Sequence, residues 1–278
     1  MARRRLDAEL TRRGLARSRE QAQELIASGA VTVRGTVATK PATQVETSEA
    51  IEVVVSADHG FVSRGAVKLS GALDTFVSIN LENRDCLDAG ASTGGFTQVL
   101  LERGVGRVLA VDVGYGQLAW PLRNDERVTV MERTNVRSLT RVDLPFQPDL
   151  IVADLSFISL RLVLPHLIAC ASADSDMLVM VKPQFEVGRE AVGDGVIRDP
   201  LIRAEAVQSV AHEALLKGLQ VLGVVASSLP GPQGNVEFFL WLRAGAGGRT
   251  VDGAALPSPL RDDALSAAIT RAIQEGPQ

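Results

Sequence analysis

Apolar residues recur in this chain at two rhythms. Strand-length runs appear at D-C-L-D-A, R-V-L-A-V-D, V-T-V-M-E, L-I-V-A-D, M-L-V-M-V-K, L-Q-V-L-G-V-V-A and V-E-F-F-L-W-L, and stretches of helical period at 95–103, 158–171 and 201–217 lie between most of them. A further helix, R-G-A-V-K-L-S-G-A-L-D-T-F-V, carries Leu69, Leu73 and Phe76 on one side and leads into the first of these strands. Seven strands with crossover helices predict a doubly wound α/β sheet over residues 64–245. A linker at 59–63 precedes it, and a Gly/Ala/Pro-rich tether with an amphipathic helix, L-R-D-D-A-L-S-A-A-I-T-R-A-I, fills 246–278.

Residues 1–58 have a different texture. A short helix at 6–13 stops at Gly14, and Ser18 caps a second helix with Gln21 completing a capping box. That helix sets Ala22, Leu25 and Ile26 on one face and ends at Gly29. V-T-V-R-G-T-V is a hairpin about Arg34-Gly35, and I-E-V-V-V at 51–55 supplies another strand, so the segment reads as a small α+β module.

Composition is that of a globular protein, with 46% hydrophobic and 22% charged residues. The longest apolar runs are too short or too broken for a membrane span, and the first residues lack the apolar stretch of a secretory signal. Cys86 and Cys170, with three scattered histidines, match no metal spacing, so no metal is expected and both thiols are expected reduced in the core of a cytoplasmic protein.

Charge changes the picture more. The net −4 conceals nine Lys/Arg against four Asp/Glu in residues 1–40, and 20 against 29 in the rest. A basic front on an acidic body suits a polyanionic partner, although a solvated arginine-rich face has the same composition. Arg3, Arg4, Arg5, Arg12, Arg13, Arg17, Arg19 and Arg34 lie on or beside the two short helices. The run R-L-D-A-E-L-T-R-R-G-L-A-R-S-R-E-Q-A-Q-E-L-I-A-S-G-A-V-T-V-R-G resembles an S4 RNA-binding domain. That resemblance implies a rigid platform presenting these arginines to structured RNA, through shape and phosphate contacts.

The first strand of the α/β domain runs into D-A-G-A-S-T-G-G-F at 88–96 and then a helix. Glycines there let the backbone turn tightly and approach a ligand at the helix start. Gly90, Gly94 and Gly95 do not have the spacing of a dinucleotide fingerprint, and Asp88 precedes the first glycine. Asp112 ends the second strand about 20 residues on, where a carboxylate can accept from ribose hydroxyls. Asn135 follows the third strand, either lining the same pocket or forming a turn. The pattern resembles motif I of class I S-adenosylmethionine-dependent methyltransferases. It implies S-adenosyl-L-methionine as cofactor, bound through Asp88, Gly90, Ser92, Gly94, Gly95, Asp112 and Asn135.

Asp154 and Lys182 each end an apolar strand, and Glu237 begins one. Charges against buried strands are costly unless paired or used. Ligands of an open α/β sheet collect at the carboxyl ends of its parallel strands. An antiparallel last strand would bring the start of its run to the same edge, and Glu237 with it. Lys68 lies on a helix that sequence alone does not aim. The order Lys68, Asp154, Lys182, Glu237, with A-D-L-S-F-I-S, V-K-P-Q-F-E-V-G and G-N-V-E-F-F-L, resembles the FtsJ-type ribose methyltransferases. With the S4-like front, residues 3–243 resemble the TlyA family, often labelled hemolysin A.

The resemblance implies a Rossmann-like class I methyltransferase fold and 2′-O-methylation of cytidine in ribosomal RNA, with ribosomal subunits as partners. A ribose hydroxyl must lose its proton as it attacks a methyl group. Lys182 is expected to take that proton or orient the hydroxyl, with Asp154 and Glu237 fixing the lysines and ribose and Lys68 tuning the charge. Phe157, Phe185 and Phe238 flank these positions and offer stacking surfaces for a displaced base, core packing being their commoner use. The loop 188–200 carries Arg189 and Arg198, which could meet phosphate. Rival readings are a catalytically idle RNA-binding protein, a membrane-active hemolysin, for which no lipid-facing helix is evident, and a small-molecule methyltransferase, which has no use for an arginine-studded front.

Overall fold

The computed structural model describes residues 3–16, 18–27, 31–53, 60–188, 195–245 and 256–277. Arg17, Arg189 and parts of the linker and tether lie outside the described residues. The chain divides into two compact units, Met1–Phe61 and Val62–Gln278.

In the first unit, strand β1 (Arg3–Arg5) leads directly into helix α1 (Leu6–Arg12), followed by α2 (Arg19–Ala27). The Gln21 amide donates to the Ser18 hydroxyl at 3.1 Å, the expected cap. Strands β2 (Val31–Val33) and β3 (Thr36–Val37) form the hairpin, with Arg34 and Gly35 at φ 51° and 75° as its tight turn requires. Strand β5 (Ile51–Val53) completes a sheet of order β3-β2-β5. A second pairing was not expected: β1 runs antiparallel to β4 (Gln44–Glu46). Leu6, Leu10, Ala22, Ile26, Val31 and Val45 make the small core.

The second unit opens with α3 (Arg64–Thr75), β6 (Asp85–Ala89), α4 (Gly95–Glu102), β7 (Arg107–Val111), α5 (Trp120–Arg123) and β8 (Val128–Met131). It continues with β9 (Leu150–Ala153), α6 (Leu160–Cys170), β10 (Asp176–Val181), α7 (Pro183–Glu186), α8 (Pro200–Leu216), β11 (Gln220–Ala226), β12 (Phe238–Arg243) and α9 (Asp262–Glu275). These strands form the expected seven-stranded sheet, in the order β11-β12-β10-β9-β6-β7-β8. Only β12 runs antiparallel to its neighbours β10 and β11; the other pairs are parallel.

Strands β9, β10 and β12 are buried at every position, which is why they read as unbroken apolar runs rather than alternating ones. The chain moves outward from β6 through β7 to β8, then returns to lay β9 and β10 on the other side. The switch point therefore lies between β6 and β9, where ligands of such sheets bind. Helix α9 docks through Leu265, Ile269, Ala272 and Ile273 into the main core.

Candidate active site

The loop from β6 to α4 is shaped by three left-handed residues, Gly90 (φ 88°), Ser92 (48°) and Gly94 (97°). A side chain at Gly90 would overlap the Asp154 backbone carbonyl, and one at Gly94 would meet Leu118 at 2.8 Å and collide with Leu122. Gly95 has its own constraint, since a Cβ there would sit 2.8 Å from the Ala66 amide of α3. These glycines thus let the loop lie against β9 and α3 and keep the crevice open.

Asp112, just past β7, accepts from the Ser92 amide (2.8 Å) and the Gly114 amide (2.6 Å), tying the glycine loop to the neighbouring one. Asn135 is exposed, and its Oδ1 accepts from the Arg137 amide at 3.0 Å, capping a short 3-10 turn at Val136–Ser138. Asp88 is fully buried. Its Oδ2 accepts from the Thr97 hydroxyl at 2.7 Å, while Oδ1 is buried with no partner among the described residues. Burial pushes this carboxyl up to about 7, and the charge of Asp154 adds to the effect against the Thr97 hydrogen bond.

On the same edge the four expected charges converge. Asp154 follows β9, Lys182 follows β10, and Glu237 immediately precedes β12, one residue before the strand begins. Lys182 Nζ lies 2.6 Å from Asp154 Oδ1, an ion pair without aligned hydrogen-bond geometry, and donates to Ser156 Oγ at 3.0 Å. It is also 3.9 Å from Glu237 Oε1. Glu237 Oε2 meets Lys68 Nζ at 2.5 Å, so the sequence of charges is Lys68, Glu237, Lys182, Asp154, alternating in sign. Lys68 and Glu237 are buried, whereas the Asp154 side chain keeps 22% of its exposure, so the open end of the row is Asp154.

Long-range bonds aim the two members that sequence aims least. Arg64 donates to the Pro230 carbonyl at 2.8 Å and the Ser228 hydroxyl to the Val67 carbonyl at 3.2 Å, which fastens α3 to the turn before Glu237. Buried Asn235 braces the same turn. Its Oδ1 accepts from the Ile197 amide (2.9 Å) and its Nδ2 donates to the Gly195 carbonyl (2.8 Å). A Cβ at Gly231 would stand 2.7 Å from Glu237 Oε1, so only glycine leaves that carboxylate its place.

The phenylalanines divide between the two uses expected of them. Phe238 is wholly buried in the sheet and cannot stack on a ligand, because every β12 side chain lies between helical layers. Phe157 is 91% exposed with a left-handed backbone (φ 64°), a combination that is costly unless used. Phe185 supports it, with ring centroids 5.2 Å apart. Sequence reasoning missed Ser156, Asn235 and Glu186, polar residues with partners 26 to 38 positions away, and Thr97, whose partner Asp88 is nine positions off across the glycine loop.

The front-module arginines are less free than their number suggests. Asp7 and Glu9 are buried in α1. Arg5 grips Asp7 through two bonds (3.1 and 2.9 Å), joined by Arg19 at 3.1 Å. Arg12 grips Glu9 in the same way (2.8 and 2.6 Å). The Arg5 hydrogen bond holds the Asp7 carboxyl well below its usual range, and that of Arg12 lowers Glu9 to about 2. Half-buried Arg13 donates to Glu9 and to the Glu49 (2.8 Å) and Thr47 (3.0 Å) carbonyls, making it a brace. Arg3 lies 3.7 Å from Glu46, Arg34 pairs with Glu49, and Arg4 is exposed. Arg5, Arg12 and Arg19 thus stay partly exposed while carboxylates buried in α1 hold their guanidiniums.

Residues 61–244 match the FtsJ-like methyltransferase family, and residues 4–51 match the S4 domain. The 16S/23S rRNA (cytidine-2′-O)-methyltransferase TlyA of Mycobacterium tuberculosis is 57% identical over 279 residues, covering 100% of both chains. Hemolysin A of Brachyspira hyodysenteriae is 36% identical over 236 residues, 84% of this chain and 97% of its own. A solved structure of a hemolysin-named protein from Streptococcus thermophilus superposes with a TM-score of 0.74 at 34% identity, covering 99% of this chain and 97% of that one.

Proposed function

We propose a function from the premise that this chain, an S4 domain followed by an FtsJ-like methyltransferase domain, belongs to the TlyA family. It transfers the methyl group of S-adenosylmethionine to the ribose 2′-hydroxyl of cytidine in ribosomal RNA. The observation that carries this is the alternating row Lys68, Glu237, Lys182, Asp154 beside a glycine-built crevice on one sheet edge.

The crevice suits such a cofactor. Asp88 offers a buried oxygen without a protein partner, and Gly90, Gly94 and Gly95 leave room that any side chain would fill. Asp88, Gly90, Ser92, Gly94, Gly95, Asp112 and Asn135 would hold it. When bound, it supplies an electrophilic methyl group on a positively charged sulfur. Lys182, entering the step as the neutral amine, would accept the 2′-hydroxyl proton as the oxygen bonds to the methyl carbon and the methyl–sulfur bond breaks, leaving the cofactor's sulfur as an uncharged thioether. Proton uptake at Lys182 Nζ would complete a row of two ammonium groups against two carboxylates, which favours the protonated product state. Glu237 and Lys68 fix that amine from the buried side. Asp154, at the open end, faces the ribose. Phe157 offers its exposed ring to a displaced base, and the outward arginines of the S4 domain grip phosphates of folded RNA. The setting is the cytoplasm, where ribosomal RNA is found; no described helix is long and apolar enough to cross a membrane.

Mapping of ribose methylation by mass spectrometry, in ribosomal RNA from cells with and without the protein, tests the reading. At least one 2′-O-methylcytidine is expected to vanish with the protein and to return when the purified chain and labelled cofactor are supplied. Identical maps would refute it.

Cofactor binding should also depend on pH. Asp88 is half-protonated near pH 7, and ionises more readily once positive charge sits beside it. Affinity for S-adenosylmethionine, measured by calorimetry, is therefore expected to rise as pH increases through about 7 and then level off. Asp88→Asn should remove that dependence. An unchanged profile in the variant would show that another group titrates.

A further inference from the structure

The segment after β10, K-P-Q-F-E at 182–186, meets the loop between β9 and α6 through Lys182, Phe185 and Glu186. Lys182 meets Asp154 and Ser156, and the Phe185 ring packs on Phe157. The last step is Glu186. Its carboxylate accepts from the Ser159 hydroxyl at 2.5 Å and from the Leu160 amide at 2.7 Å, and Arg161 lies 3.6 Å away. Arg161 also donates to the Glu186 backbone carbonyl at 3.0 Å.

The Glu186 side chain is 1% exposed and far from solvent chemistry, yet it caps no helix of its own. It sits instead at the start of α6, where an anion is favoured by the exposed amides and helix dipole. Ser159 is the N-cap of α6, its hydroxyl accepting from the Arg161 amide at 3.2 Å while donating to Glu186. The downstream end of the loop is thereby pinned to the element that carries Lys182. The upstream end is pinned by the Asp154 amide, which donates to the Ala89 carbonyl at 3.0 Å. Between these anchors stands Phe157, exposed and in a left-handed conformation that an unanchored phenylalanine would leave.

We infer that Glu186 is a positioning residue for methyl transfer: by anchoring Ser159 and Leu160 it holds Ser156 and Phe157 in register with Lys182, so that the base contact and the reacting hydroxyl are presented together. Glu186 touches no substrate in this scheme. It acts through the loop, and its removal lets Phe157 relax out of its strained backbone. The inference rests on the proposed ribose methylation.

The test uses full-length protein, ribosomal RNA substrate and labelled S-adenosylmethionine. Glu186→Ala is expected to lower turnover by ~10²-fold, the scale of a roughly 1 Å misplacement, with the dissociation constant for S-adenosylmethionine unchanged. Glu186→Gln keeps an oxygen for the Leu160 amide and should recover most of the loss. In a Phe157→Ala background Glu186→Ala should cost several-fold less than in the wild type, because the ring it positions is gone while Ser156 still depends on it. If Glu186→Ala does not fold, Ser159→Ala replaces it, with an expected loss of ~5-fold that likewise shrinks in the Phe157→Ala background. Full turnover in the variants, or losses that simply multiply with that of Phe157→Ala, would overturn the inference. A wild type that transfers no methyl group to RNA would overturn the functional reading beneath it, so the two failures are distinct.

Discussion

Lys182→Ala is expected to reduce methyl transfer to ribosomal RNA by ~10²–10⁴-fold, the usual contribution of a positioned proton acceptor. Affinity for S-adenosylmethionine should stay within a few-fold of wild type, since no residue of the glycine crevice uses Lys182 as a partner. The fold should tolerate the change. Asp154 loses its ion pair but keeps 22% of its side-chain exposure, so water can take over, and Glu237 retains Lys68 at 2.5 Å. Lys182→Arg should not restore activity, because a planar guanidinium stays protonated and cannot accept the proton. Single-turnover measurement with labelled cofactor at saturating RNA separates chemistry from binding. A Lys182→Ala enzyme of near-normal rate with intact cofactor binding would leave positioning alone as the source of acceleration, and the base assignment would fall.

Lys68 provides the contrast. Replacing it leaves Glu237, 1% exposed, with Lys182 Nζ at 3.9 Å as its remaining ion-pair partner among the described residues. Its loss therefore mixes stability with catalysis in a way that the loss of Lys182 does not. The two lysines of the row are alike in charge and unlike in what surrounds them.

How much of this was legible in the sequence follows from where each charge sits. Asp154 and Lys182 could be read because each interrupts a strand buried on both faces, where a charge has no solvent to turn to. Glu237 needed one further inference, the antiparallel last strand, which the β10–β12 pairing bears out. Lys68 could not be aimed, because the rotation of α3 is set by the Arg64–Pro230 and Ser228–Val67 bonds, between residues 166 and 161 positions apart. The arginine count of the front module was legible; the buried Asp7 and Glu9 that hold Arg5, Arg12 and Arg19 were not, since acids early in a helix look like ordinary N-terminal residues. Strand β1 was invisible for a simpler reason: R-R-R has no alternation to betray it. Phe238 takes the core-packing use expected to be the commoner one, since adjacent positions along a strand point to opposite faces.

The largest effect on stability is expected far from the reaction, at the other end of β10. Asp176 begins the strand whose end leads to Lys182, and it is wholly buried. Its Oδ2 accepts from Arg84 at 2.6 Å, and its Oδ1 from Arg243 at 3.0 Å and the Trp241 indole at 2.8 Å. Both guanidiniums are 1% exposed. Arg84 has further bonds to Asp149, including one from Nε at 3.1 Å, whereas the Trp241 indole donates its one N–H to Asp176. Asp176→Ala would remove the carboxylate that Arg84, Arg243 and Trp241 share at a dry sheet edge, and breaking such a buried pair costs about 3–5 kcal/mol. For a domain of this size, that is a fall in Tm of about 6–20 °C. Urea unfolding and thermal melting would measure it. At low temperature, where the variant is still folded, affinity for S-adenosylmethionine per folded molecule should match wild type, because the crevice lies at the opposite ends of the strands. A variant within about 1 kcal/mol of wild type would mean that Asp149 and water already satisfy both arginines. A folded variant that lost cofactor affinity would mean that the two edges of the sheet are coupled through β10, which rigid packing of its six buried residues argues against.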